Sequence, residues 1–345
     1  MTRSKVAFIL VSFIAILCLL LIPGQYVRTF GQPEVLVLDN GWRISLNGTV
    51  IQEDNPQKIV RTDVRVIKKG DVLTMSRTLP SGSGYYYPSL YIRTQGAALD
   101  VLIDGMLYYS HDKEAILNNT QVESGSHFID LPMSIAGSTL TINLYAGSSY
   151  AFLGVEPPVL SSYRSLMEYE LHLNFLPLMV SIFLCVYGVS FLVISLYFVL
   201  QTPNLLGQVV SSLICIDVGI WMLSAYDLLS IIMGGHHATR LESITLYLLI
   251  PLLYLYLSSM RKPFRKQIYT AIAVISSAVC VMLAVGIAIN MLPIHIVNIP
   301  FALIALLATI LVLRIRFGAR AGAKREESES LRIAGLLVLI ATFWL

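Results

Sequence analysis

Charged side chains are scarce in this sequence: they occupy 13% of 345 positions, against 56% hydrophobic ones, where an ordinary soluble domain carries about a quarter charged. A protein that keeps most of its surface in water is therefore excluded. Cysteine is scarce too. Cys18, Cys185, Cys215 and Cys280 all fall in apolar runs, so the polar region between Cys18 and Cys185 has to fold without disulfides. No CxxC or Cys/His spacing is present, so no metal is assigned. No catalytic residue set and no cofactor motif is visible either, and neither a catalytic role nor a cofactor is assigned to these residues.

Long hydrophobic runs are what the chain has instead. They cover residues 6–23, 175–200, 207–233, 244–260, 268–289 and 294–313, with a further apolar stretch at 333–345. Crossing the hydrocarbon of a bilayer, about 30 Å, takes roughly 20 helical residues. Backbone N–H and C=O groups find no water there, and the runs lack the period-2 alternation of barrel strands, so helices are the form that satisfies them. Residues 175–345 are expected to be a polytopic α-helical transmembrane bundle of five complete spans and an incomplete sixth, and the chain is expected to continue beyond Leu345.

Charge placement says more than the +3 total. Residues 25–172 hold 11 Lys and Arg against 15 Asp and Glu, a net of −4, which leaves +7 for the rest. The basic residues flank the apolar runs: Arg3 and Lys5, then Arg261, Lys262, Arg265 and Lys266, then Arg314, Arg316, Arg320, Lys324, Arg325 and Arg332. Short loops rich in Lys and Arg stay cytoplasmic. That places loops 261–266 and 314–332 inside the cell and residues 25–174 outside it. Loops 234–243 and 290–293, outside by the same count, share one basic residue, Arg240. Segment 1–24 reads as a retained signal anchor in preference to a cleaved signal peptide, because no A-x-A-like site follows it. The basic stretch 314–332 suits anionic lipid headgroups and not nucleic acid.

Residues 25–160 have a β pattern. Short runs rich in Val, Ile, Leu, Thr and Tyr occur at 34–38, 42–46, 59–66, 72–78, 89–94, 99–103, 106–110, 127–131 and 140–144, separated by turn residues. Eight or nine such strands predict a sandwich or jelly roll. Asp104-Gly105 and Asn47-Gly48, each flanked by apolar residues, carry the positive φ preference of a two-residue hairpin turn.

Several features together resemble a known family. They are a lone signal anchor, an outer β-domain containing Val101-Leu102-Ile103-Asp104-Gly105-Met106-Leu107-Tyr108-Tyr109, a Pro157-Pro158 linker and a multi-helix block with Gly219-Ile220-Trp221-Met222-Leu223-Ser224 and Leu249-Ile250-Pro251-Leu252-Leu253. The chain resembles bacterial receptors with seven transmembrane helices and diverse intracellular signalling modules. That resemblance implies a galactose-binding-like jelly roll outside and a cytoplasmic effector beyond residue 345, a GGDEF diguanylate cyclase ahead of a histidine kinase. No GGDEF signature lies within these residues, so any cyclase activity would belong to the part that follows.

Candidate site residues follow from chemistry. Trp42, Tyr85, Tyr86 and Tyr87 offer aromatic faces to a small-molecule or carbohydrate-like ligand, although the alternation of Tyr85, Tyr87 and Tyr91 also suits side chains turned into the sandwich core. Asp217 lies mid-span, where an ionised carboxylate costs on the order of 2.5–3.5 kcal/mol. It should face the bundle interior, with Trp221 one turn on as a possible donor, and the pair is the candidate intramembrane polar switch. Asp227, nearer the outer interface, is expected to be wet. His111, His127, His172, His236, His237 and His295 all fall on the predicted outer side, where imidazole titration could report acidity. Segment 161–174, with Leu166, Tyr169 and Leu173 at helical spacing, is a candidate rigid coupling. The expectation is a membrane sensor whose outer ligand shifts helix packing and so the spacing or homodimer geometry of an effector. A transporter with an accessory β-domain is the rival class.

Overall fold

The computed structural model describes residues 34–58, 67–80, 88–118, 122, 124–133, 135–148, 151–152, 155–199, 206–229, 238–259 and 263–288. The expected runs at 6–23, 59–66, 294–313 and 333–345 lie outside these residues. The strands are β1 (Leu36–Val37), β2 (Trp42–Leu46), β3 (Thr49–Asp54), β4 (Val72–Thr78), β5 (Pro88–Thr94), β6 (Ala97–Ile103), β7 (Met106–His111), β8 (Gly125–Asp130), β9 (Thr139–Ala146) and β10 (Val159–Ser162). A single helical turn and a half, α1 (Lys113–Leu117), follows β7. Then come α2 (Tyr163–Leu173), α3 (Phe175–Val199), α4 (Leu206–Ala225), α5 (Ala238–Ser259) and α6 (Pro263–Ala288).

All strand pairings are antiparallel. One sheet has the order β1-β10-β5-β8 and the other β3-β2-β4-β9-β6-β7. Alternation decides which side chains meet between them: along β9, Leu140, Ile142, Leu144 and Ala146 are buried while their neighbours are not. With Ile44, Leu73, Met75 and Leu99 from the same sheet, they pack on Leu90, Ile92, Ile129 and Leu160 of the other. The expected sandwich is present. Both hairpin turns have the backbone their residues call for, with φ of 49° and 83° at Asp104-Gly105 and 50° and 83° at Asn47-Gly48.

Strands β3 and β10 were absent from the sequence-based strands. β3 opens on Thr49-Val50-Ile51 after the Asn47-Gly48 turn but ends in the polar Gln52-Glu53-Asp54, and β10 has only four residues after a diproline. Tertiary pairing supplies their order.

Helices α3 to α6 pack each on the next in chain order. Two stretches, Phe175–Tyr197 and Leu206–Ala225, are long and apolar enough to cross a membrane, and Thr270–Gly286 is a shorter apolar stretch within α6. Helices α3 and α4 approach closely at two glycines: a Cβ on Gly188 would lie 2.7 Å from Ile216 Cγ1, and one on Gly219 would lie 2.6 Å from Cys185 Sγ and 3.0 Å from the Ser181 carbonyl oxygen. Small residues at such crossings allow backbone-to-backbone contact where apolar burial alone favours neither helix nor lipid.

Candidate functional site at the junction of sandwich and helices

Strand β5 is buried on both faces, because the other sheet covers one side and helix α2 the other. Leu90 and Ile92 point into the sandwich, while Tyr91 packs with Val159 and Leu166 beneath α2. Tyr91 is thus covered by α2, and does not enter the sandwich core that alternation with Tyr85 and Tyr87 suggested.

Helix α2 starts where Ser162 caps it, its Oγ accepting from the Ser165 N–H at 3.3 Å. Leu166 and Glu170, one turn apart on the same face, are its buried residues. A carboxylate at 1% exposure needs donors, and it has two. The Tyr91 hydroxyl donates to Glu170 Oε2 at 2.5 Å and Asn174 Nδ2 donates to Oε1 at 2.9 Å. Burial lifts the Glu170 carboxyl above the usual glutamate range. The Tyr91 donation and the Arg93 guanidinium pull it back, and Asp227 and Glu156 push it further up. Burial likewise raises the Tyr91 phenol.

Asn174 is the one residue between α2 and α3. Its N–H donates to the Glu170 carbonyl at 3.1 Å and its own carbonyl accepts from Leu178 at 2.9 Å, so the hydrogen-bond ladder carries on through it. The covering helix α2, which follows β10 directly, and the first long apolar helix α3 are therefore joined at Asn174 without a loop, by backbone hydrogen bonds on both sides of it.

A cavity of about 320 Å³ opens where the sandwich meets the ends of α4 and α5, within the size range of small-molecule sites. Its walls come from both parts of the chain: Arg93 and Thr94 of β5, Glu156 before β10, and Ser224, Asp227 and Glu242 at adjoining ends of α4 and α5. Asp227, expected to be wet, is 6% exposed. It sits in the left-handed region at φ 56°, which Asp tolerates better than most residues, just past the end of α4.

The structure places the other expected site residues as follows. Trp42 is 1% exposed, its ring within the sandwich core, its Nε1 donating to the Leu38 carbonyl and the Arg77 guanidinium 5.5 Å from its centroid. It is a core side chain and presents no open stacking face, because it shares the inward side of β2 with Ile44. Tyr85, Tyr86 and Tyr87 lie outside the described residues. Asp217 is 5% exposed on the packed side of α4, as its position in a long apolar run requires. Trp221 is not its donor: among the described residues its Nε1 is buried with no hydrogen-bond partner. Sharing a helix face brings two side chains close without aiming an N–H at an oxygen.

His127 is buried between Thr94, whose Oγ1 is 2.9 Å from Nε2, and the Tyr109 hydroxyl, 3.3 Å from Nδ1, with the His111 ring 4.7 Å away. His236, His237 and His295 lie outside the described residues, and among those described no three metal-ligating side chains converge. Sequence reasoning passed over Glu170. Its signal is an acid one turn after Leu166 on the apolar face of an otherwise amphipathic segment.

No family profile matches the chain, and no curated protein does. Among solved structures, a GH2 β-galacturonidase from Eisenbergiella tayi bound to galacturonate is similar at a TM-score of 0.27 and 17% identity, over 38% of this chain and 24% of that one. The chain spans about a quarter of that enzyme's length. A likeness so loose transfers neither fold nor site.

Proposed function

We propose that this chain is the sensing region of a membrane receptor, in which the outer β-sandwich reads a small ligand and passes its state to a polytopic helical bundle and on to a cytoplasmic effector beyond residue 345. The observation that carries this reading is the loop-free passage from β10 through α2 into α3, with α2 fastened to the sandwich by the Tyr91–Glu170 hydrogen bond. An accessory domain that merely rides on a transporter needs no such clamp. A shift in which sandwich arrangement is preferred reaches α3 through continuous hydrogen-bonded backbone, and a ligand produces that shift by binding one arrangement better than the other. By the family resemblance, the effector is a diguanylate cyclase ahead of a histidine kinase.

The topology is tested by thiol labelling of intact cells carrying the full-length protein with its native cysteines replaced. A membrane-impermeant maleimide should reach Met106→Cys, on an exposed hairpin, from outside. It should reach Arg265→Cys only after permeabilisation. The opposite pattern would end the receptor reading.

A further inference from the structure

We infer that the junction cavity binds a small organic cation carrying two or more protonated amines, of diamine or polyamine size, and that this site rather than an aromatic platform is where the ligand acts. The inference rests on the receptor reading and names its ligand class.

Shape is the first argument. The cavity, about 320 Å³, is walled by β5 and the Glu156 segment on one side and by the ends of α4 and α5 on the other. A ligand seated there touches both parts at once and so can favour one relative arrangement over another, which is what a sensor needs. Charge is the second. Among the described lining residues stand three carboxylates, Glu156, Asp227 and Glu242, against one guanidinium, Arg93, with the Thr94 and Ser224 hydroxyls between. By its side chains the lining is a net acceptor surface, three carboxylates to one guanidinium, suited to ammonium donors.

The alternatives fit less well. No aromatic ring lines the cavity among the described residues, which removes the stacking surface that sugar rings favour. The carboxylates stand around a cavity and not about a point, and no three of the described metal-ligating groups converge, so a chain of separated ammonium groups matches them where a divalent ion does not. Asp227 and Glu156 both raise the Glu170 carboxyl. A cation between them relieves that repulsion, which connects occupancy to the clamp.

The test uses the full-length protein in lipid nanodiscs and calorimetric titration with putrescine and spermidine, with glucose and galacturonate as neutral and anionic comparisons. Saturable amine binding is expected, weakening as salt rises. Each of Glu242→Gln and Asp227→Asn, the latter chosen because Asn tolerates positive φ, should weaken it about tenfold through loss of one charge-assisted hydrogen bond. Unliganded melting curves identify any variant that fails to fold, and the other variant then decides. Absence of amine binding, binding unchanged in a folded variant, or preference for either sugar overturns the assignment. The maleimide labelling contains no ligand and judges the receptor topology separately.

Discussion

At the scale of single residues the junction depends on one acid kept out of water. Glu170 gives up hydration for two donated hydrogen bonds, and removing the carboxylate by Glu170→Ala would strand the Tyr91 hydroxyl and the Asn174 amide at a cost of about 1–3 kcal/mol, readable as a lower melting temperature. Its pH behaviour is more specific. Burial first, then Asp227 and Glu156, hold its pKa up against Tyr91 and Arg93. An acid that binds its proton more tightly when folded favours the fold at low pH, and that advantage fades as pH rises from the ordinary glutamate range through the raised value. Asp100 behaves oppositely. Burial pushes it up, but donations from Lys113, Ser110 and Tyr145 outweigh that and leave it below the usual aspartate range. Its contribution is lost only as pH falls through that lowered value. Between about pH 5 and pH 8, a window above the ordinary carboxylate range, the melting temperature of the native protein should therefore decline more steeply than that of Glu170→Gln. Parallel profiles would show that Glu170 does not titrate in the clamp.

At the scale of elements, α2 and the α3–α4 pair show how local pattern and packing divide the work. The spacing of Leu166, Tyr169 and Leu173 made a helix over 161–174 legible, and the structure adds which surface it covers. Its dependence on β5 was not legible, because β5 is Pro88–Thr94 and α2 begins some 70 positions later, and nothing within either segment names the other. The hairpins are the reverse case. Asp104-Gly105 and Asn47-Gly48 specify their turns from two residues each, since positive φ is a local steric matter. For α3 and α4 the glycines set the approach. Gly219→Val would press its side chain onto Cys185 and the Ser181 carbonyl and should cost about 1–3 kcal/mol of helix-pair stability, seen as a lower melting temperature in detergent. Val193→Ala, on an exposed part of α3, should be nearly neutral. Equal effects would mean that the close crossing is not what holds the pair.

At the scale of the whole molecule the question is which backbone joins the sandwich to the long helices. Ser162 is only the start of α2, and α2 itself is fastened to the sandwich by the Tyr91–Glu170 bond, so the join falls at Asn174. Spin labels at Met133→Cys on the sandwich and Leu206→Cys at the start of α4, both exposed, should give a narrow distance distribution in the native protein. Four Gly-Ser residues inserted after Asn174 should broaden it, because a flexible linker replaces hydrogen-bonded backbone. The same insertion after Ser162 should broaden it less, since the Tyr91 bond to Glu170 still docks α2. The two insertions giving the same result would remove the docked α2 as the route of coupling.

The long apolar helices and the sandwich were written in local sequence pattern. Lack of water in hydrocarbon dictates helices wherever 20 or so apolar residues follow one another, and strand alternation with Asp-Gly and Asn-Gly turns dictates a sandwich between them, both from neighbours in sequence. The junction was not written there. Trp42 was expected to offer a face to a ligand and Asp227 to meet water, and both are buried, because whether a side chain is open depends on what a distant segment lays over it. The clamp and the cavity exist only where β5, α2 and the ends of α4 and α5 come together, and no stretch of chain short enough to read as a motif contains more than a part of either.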